Sequence, residues 1–175
     1  LVLALVAWTS NAQAGCSGSG LDLTCTVGTT SAEVASALAS ASDGATLTFP
    51  AGSYSWSSSI NFNPAKGASL ICASPGACAV TGSGVVGMNG TCASSTKLYR
   101  ISGFVFTGTG TRIWFWNSNA CTVSQLPIDH NTFNGATGDL MIFGENTSRD
   151  NYIYGVVDHN TFASAGSFIR AIPLT

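Results

Sequence analysis

Between residues 99 and 175 the apolar positions fall in short, strand-length runs, and the runs recur. The phrase Ile128-Asp129-His130-Asn131-Thr132-Phe133 returns as Val157-Asp158-His159-Asn160-Thr161-Phe162, beginning 29 positions later. A looser copy, Ile101-Ser102-Gly103-Phe104-Val105-Phe106, stands 27 positions earlier. Seven residues after each phrase comes a second apolar stretch: Ile113 to Trp116, Leu140 to Phe143, and Ile169 to Ile172. Runs of this length bounded by Gly, Asn, Ser and Thr predict strands. A period in this range predicts a solenoid, in which each repeat stacks on the next. No helical pattern of ten or more residues occurs in these repeats, so leucine-rich and helical arrays fit badly. A coil of strands and turns fits, with rungs about 4.8 Å apart. Equal letters then stack. Asn131 and Asn160 should form an amide ladder at a turn, and Phe106, Phe133 and Phe162 an inward aromatic column. Two chance Asn-containing turns in a β-sandwich are the alternative, and a six-position match at coil spacing argues against it.

Helical periodicity is confined to residues 30–44. Thr30-Ser31-Ala32-Glu33 is a capping box, Val34, Leu38 and Ala41 form an apolar stripe, and Asp43-Gly44 supplies a stop. A lone amphipathic helix ahead of the first coil is expected to cover the open end of the solenoid. Ala45 to Tyr54 then alternates apolar and polar around a turn at Pro50 to Gly52. At the start of the chain, Leu1 to Trp8 is apolar and Ala12-Gln13-Ala14 follows, which predicts residues 1–14 to be a secretory signal peptide truncated before its positive region. A buried N-terminal strand, or a lipoprotein modified at Cys16, is the alternative. Residues 15–175 are expected to be the N-terminal cap and first coils of a longer β-helix domain, incomplete at its C-terminal end.

Composition narrows the partners. Only 8% of residues are charged and the net charge is −2, which offers no basic surface for nucleic acid. The leader is too short to span a bilayer, so no membrane span is expected. A hydrophobic fraction of 45% in strand-length runs excludes a disordered chain. Six cysteines in an exported chain predict disulfides, most simply Cys16–Cys25, Cys72–Cys78 and Cys92–Cys121. Without a C-x-x-C and with both histidines inside the repeat, zinc is not expected. Gly82 to Gly87 matches G-x-G-x-x-G, but no helix pattern follows, so it reads as a glycine-rich turn.

A capping helix followed by Asp43-Gly44-Ala45-Thr46-Leu47-Thr48-Phe49-Pro50-Ala51-Gly52-Ser53-Tyr54, then Arg100 to Phe104 and the two Asp-His-Asn-Thr-Phe phrases, resembles the right-handed parallel β-helix proteins of the pectate-lyase-like superfamily. The resemblance covers residues 30–172. It implies an all-β, right-handed parallel β-helix with carbohydrate contact on its outer face. Polysaccharide lyases, glycoside hydrolases, pectin esterases, phage tailspikes and non-catalytic surface proteins share that fold. The lyases among them carry a calcium-binding carboxylate cluster and a basic Arg or Lys, and neither signature aligns onto this chain residue by residue.

Three sets of residues carry candidate chemistry. Asp129 and Asp158 occupy equivalent positions beside inward Ile128 and Val157, so they should point outward one rung apart. Two such carboxylates repel, and a bound calcium would relieve the conflict; acid and base roles on a glycosidic bond, or bonds to turn N–H groups, are the other readings. His130 and His159 should stack as a second column. In the second strand, Ile113 and Phe115 facing inward would turn Trp114 and Trp116 out. Met141 and Arg170 would then lie above Trp114, and Arg112 beside Asp139, as a platform for sugar rings. The opposite register would bury both tryptophans. Glu145, Arg149 and Asp150 mark a charged loop. The expected function is that of a secreted protein that binds and cleaves an extracellular polysaccharide, as lyase or glycoside hydrolase. A non-catalytic, adhesin-type β-helix is the alternative.

Overall fold

A computed structural model describes residues 15–89, 95–108, 110–116, 121–135, 141–143, 151–163 and 169–171. The expected leader, Cys92 and the loop around Glu145, Arg149 and Asp150 lie outside the described residues. Within them the chain is a parallel β-solenoid of three sheets. The first sheet is built from Cys16–Ser19, Asp22–Cys25, Ala45–Phe49, Ala68–Cys72, Ser95–Ser102, Cys121–Asp129 and Asn151–Asp158. Gly52–Ser55, Cys78–Thr81, Phe104–Thr107, Thr132–Asn134 and Thr161–Phe162 form the second. The third contains Ile60–Asn61, Val86–Asn89, Ile113–Trp116, Met141–Phe143 and Ile169–Ala171. Successive strands of a sheet are parallel, apart from the antiparallel Cys16–Ser19 edge.

Registration puts like on like through the core. Leu47, Leu70, Ile101, Ile128 and Val157 align in the first sheet. In the second, Tyr54, Val80, Phe106, Phe133 and Phe162 align. The third sheet aligns Ile60, Val86, Ile113, Met141 and Ile169. The expected phenylalanine column is present: Phe106, Phe133 and Phe162 stack at 5.3 and 5.2 Å between ring centres. Parallel pairing makes this possible, because each rung repeats the face of the one below.

The helix Ser31–Ser40 connects two neighbouring parallel strands of the first sheet, Asp22–Cys25 and Ala45–Phe49. It therefore stands where the second and third sheets would otherwise begin, and it packs on Ile60–Asn61. Val34, Ala37 and Leu38 join the core from below. Its capping box is formed, with Thr30 Oγ1 accepting from Glu33 N and Glu33 accepting from Thr30 N. The helix ends four residues before the expected stop at Gly44. Ala41 is already extended, and Lys66 Nζ donates to the carbonyls of Ala39 and Ala41 at 3.2 and 2.8 Å. A cation on the last carbonyls favours termination there. Cys16–Cys25 and Cys72–Cys78 are bonded as expected, one closing the first hairpin and the other the loop between two strands of one rung.

Candidate functional site

The repeat phrase builds the turn that leaves the first sheet. Ser102, Asp129 and Asp158 align at the strand ends, and the next residue of each rung takes a left-handed conformation: Gly103 at φ 84°, His130 at 57° and His159 at 50°. A side chain at Gly103 would be crowded, since a Cβ there would lie 3.1 Å from Cys72 and 3.2 Å from Pro75. The next two rungs place histidine in the same position.

Inside this turn runs the expected amide ladder. Asn131 Nδ2 donates to Asn160 Oδ1 at 3.1 Å and to the Ile101 carbonyl at 2.9 Å, while its Oδ1 accepts from Phe104 N at 3.0 Å. Asn160 Nδ2 repeats the pattern on the Ile128 carbonyl at 2.7 Å. Outside it, Asp129 and Asp158 stand one rung apart. The conflict between them is met by Arg100, whose Nε donates to Asp129 Oδ1 at 3.1 Å and whose Nη2 donates to Oδ2. Burial alone would raise the Asp129 carboxyl; bonds from Arg100, Ser102 and His130, with the guanidinium charge, outweigh it and hold the group below its ordinary value. Sequence reasoning missed Arg100. Its signal was present, because Arg100 lies two residues before Ser102 and so shares the outer face with Asp129 as a diagonal neighbour.

A calcium ion at Asp129 and Asp158, as expected, would have to compete there with Arg100. Calcium takes six to eight oxygens, and both Asp129 oxygens are engaged by Arg100. No group of three or more acidic, His or Cys side chains suited to a metal occurs among the described residues.

The third sheet carries the other candidates. Ile113 and Phe115 are buried, which turns the half-buried Trp114 outward as the first of the two registers required. Its column is Asn61, Gly87, Trp114, Ile142 and Arg170. Met141, expected above Trp114, instead pairs with Ile113 and is buried, because the strand alignment is one residue offset from the expected one. A Cβ on Gly87 would lie 2.1 Å from the Trp114 carbonyl oxygen, so only glycine fits beside Trp114. Arg112, expected on this surface, is 1% exposed and donates from Nη1 to the Gly82 carbonyl and from Nη2 to the Thr107 carbonyl at 2.9 Å. Strand alternation breaks at its position, just before the strand begins, and the guanidinium turns in to bridge turn carbonyls. The side chains of Trp116 and Arg170, and Asp139, lie outside the described residues. No helix among the described residues is long and apolar enough to cross a membrane.

No protein-family model, curated protein or solved structure matches the chain.

Proposed function

We propose that this chain is an exported polysaccharide-binding β-solenoid of the pectate-lyase-like kind, holding its polymer across the outer face of the third sheet. One observation carries the reading: Trp114 is turned outward in a column with the exposed Asn61 below it and Arg170 two rungs above. An aromatic face in line with an amide suits sugar rings, which stack by their apolar faces and bond by their hydroxyls. Gly87 beside it leaves the rung below Trp114 without a side chain. Two disulfides fit an oxidising compartment.

Cleavage of the polymer, by a lyase or hydrolase route, is the stronger form of the proposal. Its test is incubation of the purified protein with a panel of acidic and neutral polysaccharides. New reducing ends establish an enzyme, and ultraviolet absorbance of the product separates elimination from hydrolysis. A specific observation favours the non-catalytic, adhesin-type form: Arg100, Asp129, Arg112 and Asn131 are all engaged in holding rungs together. Binding without new reducing ends would establish that form, and the absence of both would overturn the proposal.

A further inference from the structure

His130 and His159 are the two histidines of the whole chain, and the fold stacks them. Their rings are parallel to within 3° with centres 4.9 Å apart. Each is tied to the aspartate preceding it: His130 Nδ1 lies 3.3 Å from Asp129 Oδ2, and His159 Nδ1 lies 3.0 Å from Asp158 Oδ2. A carboxylate can only accept, so in the neutral ring the proton sits on Nδ1 and the lone pair on Nε2. Both rings are open to solvent, their side chains 50% and 69% exposed. A second observation comes from the backbone. Left-handed conformation is disfavoured for a residue with a side chain, and the same turn position is filled without that penalty by Gly103. Carrying that cost at two successive rungs, with the same side chain, marks a site where the imidazoles themselves matter.

We propose that His130 and His159 form a two-imidazole site for a borderline divalent cation of the zinc, copper or nickel type. Imidazole nitrogen suits these ions, whereas calcium prefers oxygen. A metal-binding histidine generally donates its other N–H to a carboxylate, which fixes the ring and raises its basicity, and Asp129 and Asp158 supply that partner on each rung. Sharing one ion at about 2.1 Å from each nitrogen requires the rings to tilt toward each other out of the stack. The exposure of both side chains and the broad torsional well of histidine about χ2 permit the tilt. Water completes the coordination. Arg100, the nearby cation, is neutralised by Asp129.

Untagged protein titrated with Cu2+ at neutral pH, followed by calorimetry and electron paramagnetic resonance, tests this directly. One ion per chain is expected, with nitrogen couplings from two imidazoles. Bound Zn2+ should protect both histidines together from diethyl pyrocarbonate, a readout that needs no variant. His130→Asn and His159→Asn keep a residue that tolerates the left-handed turn, and each alone should abolish saturation at concentrations that saturate the wild type. Asp158→Asn should weaken binding about 10- to 100-fold. Coupling to one nitrogen only, unchanged binding in either histidine variant, or no binding by the wild type would overturn the proposal.

Discussion

Asn131 is 1% exposed, and its amide joins three rungs: Ile101 and Phe104 below, and Asn160 above. Asn131→Ala would leave a buried N–H and a buried carbonyl without partners, at about 1–3 kcal/mol each. Chemical denaturation should therefore show a loss of about 2–6 kcal/mol. His130→Gly should behave differently, since relief of about 1 kcal/mol of left-handed strain offsets the lost ring stacking. A near-unchanged midpoint for that variant, beside a collapsed one for Asn131→Ala, is the expected pair of results. Asp129 adds a pH dependence. Its folded value lies below the ordinary 3.8, so below that pH the unfolded chain binds more protons than the folded one. Its contribution is present above 3.8 and is lost as pH falls through the folded value. Asp129→Asn should flatten the stability profile in that acid window, measured by urea unfolding between pH 2 and 6.

The elements were legible to different depths. The solenoid and its aromatic column followed from repeat letters alone, because parallel rungs force equal positions into contact. The helix was legible at its start, where Thr30 and Glu33 satisfy each other locally. Its end was not, because Lys66, some 25 residues away in sequence, binds the last carbonyls. Arg112 was misplaced for a similar reason. Alternation assigns faces within a strand, but turn carbonyls from Gly82 and Thr107 captured the residue just outside it. Thr30→Ala, which removes the cap, should cost about 1 kcal/mol. Gly87→Ala should be far more damaging, since its Cβ would meet the neighbouring strand's backbone at a φ of 151° that side chains rarely adopt. Loss of the cooperative melt, or failure to recover folded protein, is the outcome expected for Gly87→Ala by circular dichroism.

At the scale of the molecule, one helix among the described residues and a stack of apolar columns hold the rungs. Solenoid stability is a sum of rung and interface terms, so truncating a central ring propagates to both neighbours. The proposed function rests on Trp114 as the contact with a polysaccharide, and affinity electrophoresis through gels containing single polysaccharides tests that link. Wild-type protein should be retarded by at least one polymer, and Trp114→Ala, with an unchanged melting temperature, should migrate as in the blank gel. Equal retardation of the variant, or no retardation of the wild type across the panel, would contradict the account.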